Sequence, residues 1–448
     1  MVRVVNAKNV EGGLFSFRIG AGRFAEVCSQ DQLVRDFDPA SPAIALADLT
    51  DAAALPAGAV VDAQGALIAP AGIDVHVHSR EPGLAHKEDW QSLARAAWRG
   101  GVVAVADMPN TLPPTMTHAA VQAKAALARA SGLEFRLLAG VGARNVESVA
   151  QLLALPDVCA LKVFYGKTTG ELMYDDLETL ARTLPADGQK LVVFHSEDQC
   201  TVDGNLGRLA PLLHQTDNAA FTVHSEIRSS EAAHKSTRVI LEWARISYKR
   251  PIHIAHVSTP LEVELVAEAR ERGVPVTCEV APHHLLFSTA DYPRLGPLVK
   301  MNPPLRSPAE VESLRRLVGQ GLVDLFATDH APHLLAEKRV EIARSPSGVP
   351  ALELYYPLLL EVARVTGLSL PAACAMGATR PAALFGFSGK GAIADGFAAD
   401  FVWLSPDARQ VKGEEVVSKC GWTPYDGWQL PGDVLATWNH GRQVYPAR

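Results

Sequence analysis

From about residue 70 onward, short apolar runs alternate with longer stretches in which apolar residues recur every three or four positions. The runs have strand length and the longer stretches have helix period, which is the signature of βα units around a parallel sheet. Eight runs can be placed, over residues 73–78, 102–106, 135–141, 159–164, 191–195, 252–256, 274–280 and 322–328. Eight units predict a closed (β/α)8 TIM barrel of the α/β class. Helix punctuation agrees at several joints. A helix over 88–99 stops at Gly100, Thr259 and Pro260 cap a helix running to Arg272, and Ser307 with Pro308 opens another that ends before Gly319. The ends of the chain read differently. Residues 1–69 hold short β segments (1–7, 14–19, 43–48, 60–68) between Gly, Asp and Pro turns, and β texture returns after Phe385 at 399–404, 416–417, 434–438 and around Val444. The expected organisation is a barrel over 70–385, with 1–69 and 386–448 as two parts of one small β-sandwich. Trp422, Tyr425 and Trp428 are expected to pack in that sandwich.

Composition narrows the function. The 448 residues are 48% hydrophobic and 20% charged, ordinary values for a globular chain with a sizeable core. A formal charge of -7 provides no basic stripe for nucleic acid, so a small-molecule substrate is expected. No window reaches the roughly 18 to 20 apolar residues of a membrane span, and the start lacks the apolar core of a signal peptide. A cytoplasmic location is expected. The six cysteines are scattered without a Cys-x-x-Cys pair, which favours reduced, structural thiols.

The stretch Gly72-Ile73-Asp74-Val75-His76-Val77-His78-Ser79-Arg80 concentrates the candidate chemistry. Strand alternation would point Val75 and Val77 one way and Asp74, His76 and His78 the other, so two imidazoles leave one face together. Such a pair suits a borderline-soft divalent ion such as zinc, against the plainer reading of two polar residues on an exposed strand. Barrel enzymes build their sites at the carboxyl ends of strands. There the chain carries His76 and His78, Asp107 to Thr111, Lys162, His195, His256, Asn302 and Asp329. Lys162 in an apolar strand is costly to bury as an ammonium. Two readings stand side by side: an ion pair inside the barrel, or a neutral amine that adds carbon dioxide to become a bridging carbamate. His195 and His256 could be silent core histidines, but each ends a separate strand on the same rim. Asp329 could touch a metal and act as general base.

The combination HVHSREPG with KEDW, DMPNT, LKVFYGKTTGEL, HSED, HIAHVST, CEVAPHHL, MNPPLR, ATDHAPH and SPSGVP resembles the dihydroorotases of the amidohydrolase superfamily through nearly the whole chain. The resemblance implies two zinc ions, one held by His76, His78 and Asp329 and one by His195 and His256, bridged by carboxylated Lys162. Asp329 would move a proton between the activated water and the ring nitrogen. Arg80, Asn110 and His333 correspond to positions that hold the ring carboxylate, and Asn302 to one beside the pyrimidine ring. Thr168 or Thr169, in the loop 165–171, would close over the substrate, unless that segment is a plain connection. His283 and His284 are given no role. The activity implied is the interconversion of N-carbamoyl-L-aspartate and L-dihydroorotate. Competing readings are a hydantoinase or allantoinase, and a non-catalytic homologue partnering aspartate transcarbamoylase. Self-association into a homo-oligomer is expected.

Overall fold

A computed structural model describes residues 1–29, 43–167, 172–184 and 188–446. One sheet takes its strands from both ends of the chain. Its path runs β19 (Arg442–Tyr445), β18 (Asp433–Asn439), β15 (Phe401–Ser405), β6 (Leu67–Pro70), β1 (Val2–Lys8), β2 (Leu14–Gly20) and β3 (Arg23–Ser29). Two short strands, β4 (Ile44–Ala45) and β5 (Val60–Asp62), pair beside β1. The two ends meet directly where β6 pairs antiparallel with β15. Phe17, Phe24, Phe401 and Trp438 form its aromatic core, with Phe401 and Trp438 stacked at 4.6 Å.

The second sheet holds eight parallel strands in chain order: β7 (Gly72–Val77), β8 (Val102–Asp107), β9 (Glu134–Gly140), β10 (Val158–Tyr165), β11 (Leu191–Ser196), β12 (Ile252–Ile254), β13 (Val276–Val280) and β14 (Leu325–Phe326). Between β7 and the segment after β14, the sheet closes through a parallel bridge from Val77 to His330, and the His78 amide donates to the His330 carbonyl at 2.9 Å. Asp74 stitches the same seam by accepting from the Thr328 amide at 3.1 Å and from the Thr328 hydroxyl. This is the TIM barrel the alternating pattern predicts. Val103, Val105, Leu137, Leu161 and Phe194 pack outward on helices, while Ala104, Ala106, Leu138, Ala160 and Val193 cluster inside with Phe385 and Phe387. Small inner side chains suit a closed cylinder, whose interior is filled by side chains.

Several local expectations need correction. The register between β7 and β8 slips between Asp74 and Val77, so Val75 joins the inner cluster and Val77 the outer one, instead of sharing a face. Such irregularities re-aim side chains near sites, and here the slip spans His76 and ends just before His78. The run 60–68 is broken by a turn at Gln64 and Gly65, both at positive φ. The run 43–48 is mostly a 3-10 turn, and 416–417 is not a strand. Tyr425 and Trp428 pack on Phe287 of the barrel, and Trp422 Nε1 donates to the His333 carbonyl at 2.7 Å. The tail therefore covers the barrel here, where sandwich packing is expected from sequence. No helix among the described residues is long and apolar enough to cross a membrane.

Candidate active site

Strand ends on one rim form a small pocket lined by His76, His78, Arg80, Asn110, Lys162, His195, His256, Asn302 and Asp329, among others. These residues come from segments as far apart as β7 and the end of β14, so the closed sheet alone assembles them. Asp329 Oδ1 lies 3.2 Å from His76 Nε2 and 3.0 Å from His78 Nε2. His195 Nδ1 and His256 Nε2 approach to 3.0 Å. The ring centroids of His76 and His256 are 5.2 Å apart, which joins the two groups into one cluster. His76, His256 and Asp329 each offer a ligand atom within 4.8 Å of the others.

Lys162 is fully buried, and its Nζ has no hydrogen-bond partner among the described residues. No described carboxylate forms an ion pair with it; its Nζ stands over the Phe164 ring, 5.4 Å from the centroid. Burial pulls its pKa down to about 8, so a neutral amine fraction exists near neutral pH. His256 Nδ1 is also buried without a partner among the described residues. Burial lowers the pKa values of His78 (to about 4), His195 and His256, keeping these imidazoles neutral with lone pairs to offer. Burial alone would raise Asp329, but His76 and His78 hold it well below the ordinary carboxylate range. Neutral imidazoles beside an ionised carboxylate suit a divalent cation.

Three of the nine described non-glycine residues at positive φ lie at this site. Arg80, His256 and Asp329 sit at φ 64, 35 and 48, left-handed values that cost non-glycine residues on the order of 1–3 kcal/mol each. The strain is held by surrounding bonds. After His256, Thr259 Oγ1 accepts from the Glu262 amide at 3.3 Å while Glu262 accepts from the Thr259 amide at 3.0 Å, a reciprocal helix cap.

Arg80 is buried, donates from Nε to the Pro332 carbonyl at 3.0 Å, and remains charged although burial lowers its pKa to about 10. Asn110 Oδ1 accepts from His78 Nδ1 at 2.6 Å, so it orients an imidazole as well as facing the cavity. Asn302 Oδ1 lies 3.0 Å from both His224 Nε2 and Ser347 Oγ. His333 does not line the cavity. Its Nε2 lies 3.1 Å from Arg80 Nη2 and its Nδ1 3.0 Å from Lys87 Nζ, so it stands behind the guanidinium. Thr168 and Thr169 lie outside the described residues.

Sequence reasoning gave no role to two buried carboxylates. Glu279 accepts from His76 Nδ1, from the His256 amide at 3.3 Å and from His253 Nε2 at 3.1 Å. Glu197 lies 2.8 Å from His195 Nε2. Both belong to the stretches CEVAPHHL and HSED, where an acid beside strand-end histidines was the available signal. Of the adjacent pair, His284 Nε2 meets the Pro303 carbonyl at 2.9 Å, whereas neither ring nitrogen of buried His283 has a partner among the described residues.

Residues 67–444 match the model of the amidohydrolase family. The chain is 36% identical to a dihydroorotase of Methanosarcina acetivorans over 384 residues, covering 82% of this chain and 79% of the relative. Its identity to a dihydroorotase of Halobacterium salinarum is 39% over 366 residues, covering 80% and 82%. Among solved structures, an L-hydantoinase (dihydropyrimidinase) from Arthrobacter aurescens superposes with a TM-score of 0.86 at 23% identity, covering 99% of this chain and 95% of that one. At that identity the likeness concerns the fold.

Proposed function

The chain belongs to the amidohydrolase family, and from that premise we propose that it is a dihydroorotase, opening and closing one cyclic amide between L-dihydroorotate and N-carbamoyl-L-aspartate in pyrimidine synthesis. The observation that carries this reading is a ring of four imidazoles, one ionised carboxylate and one lysine without a partner among the described residues, with a buried guanidinium at its edge.

His76, His78 and Asp329 would hold one divalent cation and His195 and His256 a second, with Lys162 in the same pocket. The neutral Lys162 amine attacks carbon dioxide, an N–C bond forms, the nitrogen loses a proton to solvent, and the resulting carbamate is anionic. Two zinc ions suit this nitrogen and oxygen donor set, and when bound they supply an acidified water and a Lewis acid for the ring carbonyl. Asp329 takes the proton from the attacking water and delivers it to the amide nitrogen as the C–N bond breaks. Ring closure runs the same transfers in reverse. Its ionised resting state, sustained by His76 and His78, suits it to accept that proton first.

Arg80 receives the ring carboxylate, for which a planar fork is the matching partner. Asn110 supports the same group and holds His78, His333 braces Arg80 from behind, and Asn302 borders the ring. Hydantoin and allantoin lack that carboxylate, so a buried guanidinium in their site would have no anion to meet. A non-catalytic homologue would have no need of a filled ligand set. Residues 70–385 form the catalytic unit, with strands from 1–69 and 386–448 as the accompanying β domain and the stretch around Trp422 to Trp428 covering the barrel. A cytoplasmic, self-associating protein with aspartate transcarbamoylase as a partner accompanies this reading on family likeness.

The test is turnover of dihydroorotate, hydantoin and allantoin side by side with zinc-supplemented protein. Dihydroorotate alone, or far ahead, is expected. Turnover of only the other two would overturn the substrate assignment, and absence of both metal and turnover would overturn the enzyme.

A further inference from the structure

The two histidine groups are braced by different carboxylates. Glu279 meets His76 among other imidazoles, whereas Glu197 is shared between an imidazole and a cation. His195 Nε2 lies 2.8 Å from Glu197 Oε2, and the same oxygen accepts from Arg228 Nη1. Arg228 Nη2 donates to the Lys167 carbonyl. The Arg228 backbone is fixed in turn, because Arg306 Nη1 donates to its carbonyl at 2.6 Å while Arg306 Nε and Nη2 donate to Ser258 Oγ at 3.1 and 3.0 Å. Glu197 itself is fully buried, and its amide donates to the Tyr165 carbonyl at 3.2 Å. Gly166, at φ 141, lies so close to the Glu197 carbonyl that any Cβ there would collide with it.

An imidazole has two nitrogens, and the hydrogen bond made by one decides which tautomer the other presents. With Nε2–H donating to Glu197, His195 shows a lone pair on Nδ1, the nitrogen that faces His256. Swapping the tautomer would put two lone pairs against each other at Glu197 and an N–H toward the cluster. We propose that Glu197, clamped by Arg228, is a positioning residue that fixes the tautomer and ring plane of His195, and so sets the retention of the cation held by His195 and His256. The inference rests on the two-cation reading above. Glu197 touches neither substrate nor reacting atoms in this account; it acts through His195. Arg306 and Ser258 extend the brace to the turn that follows His256, so both ligands of this cation are secured by one network.

The experiment loads wild type, Glu197→Gln, Glu197→Ala and Arg228→Met with cobalt, counts metal per chain by mass spectrometry, and follows release to a chelator alongside the visible cobalt spectrum. Wild type should release two metals. In Glu197→Ala one of the two should leave about 10- to 100-fold faster, the usual cost of a lost outer-shell partner, while the other keeps its wild-type rate. Glu197→Gln, whose amide oxygen can still accept from Nε2, should fall between. Arg228→Met, farther from the cluster, should show the same one-sided acceleration and covers the case in which an alanine variant does not fold. Wild type that retains two metals alongside variants with unchanged release, or with equal acceleration of both metals, would overturn this inference alone. Wild type that binds no metal would overturn the two-cation reading and this inference with it.

Discussion

Replacing Arg80 by glutamine tests the substrate assignment most directly. The side chain is only 2% exposed, its Nε is committed to the Pro332 carbonyl and one Nη2 hydrogen is directed at His333. Nη1 and the rest of that edge are what remain for a carboxylate. Two hydrogen bonds between ionised groups contribute about 1.5–3 kcal/mol each, so their loss is worth at least about 3 kcal/mol. At about 1.4 kcal/mol per decade, that is more than 100-fold in kcat/KM for dihydroorotate. The guanidinium is charged throughout the assay range, because its pKa of about 10 lies well above neutral. Steady-state kinetics should be paired with inhibition by orotate, which carries the carboxylate, and by uracil, which lacks it. Orotate should bind wild type far better than uracil and lose that advantage in Arg80→Gln, with the metal content unchanged. A loss under fivefold would refute the reasoning, as would equal weakening of orotate and uracil, since either means that Arg80 does not read the carboxylate.

Lys162→Ala should lose bound metal and activity together, with partial recovery of both in a short carboxylic acid; full metal occupancy in the untreated variant would count against a bridging role. Thr328→Val removes the hydroxyl donor to Asp74 at the barrel seam, and an unsatisfied buried acceptor should lower stability by about 1–3 kcal/mol in urea unfolding. Burial raises Glu353 to about 7, against about 4.3 when unfolded. In the window between these values the folded state binds the extra proton, so the Glu353 contribution is present at low pH and is lost as pH rises toward 7. The stability of wild type minus that of Glu353→Gln should therefore fall between pH 5 and 7.5, and a flat difference would contradict the shift.

The barrel was legible because strands covered on both faces read as plain apolar runs, and most of the eight were placed within a residue or two. The eighth was overdrawn, since 322–328 is apolar apart from Asp324 and Thr328 but only Leu325 and Phe326 find ladder partners, on Glu279 and Val280. Pairing is a property of the neighbour, which a local pattern does not contain. The slip before Val77 was hidden for the same reason. Histidines at strand ends could be read as a group once the topology was assumed, whereas Glu197 and Glu279 depend on partners 31 and 203 residues away. His333 shows the converse. Its place in the motif suggested a surface facing the ligand, and the fold turns it toward Arg80 and Lys87.

The seam between Asp74 and Thr328 joins positions 254 residues apart in the chain. His76 and His78 leave the ribosome early, and Asp329 follows only after every intervening strand has been made. At about 5–20 residues per second, synthesis separates them by roughly 13 to 50 seconds. A nascent chain therefore exposes a bare pair of imidazoles without the acidic third donor, a weak trap for stray ions. Tight capture of a divalent ion by this cluster would be postponed until the last staves of the cylinder have docked.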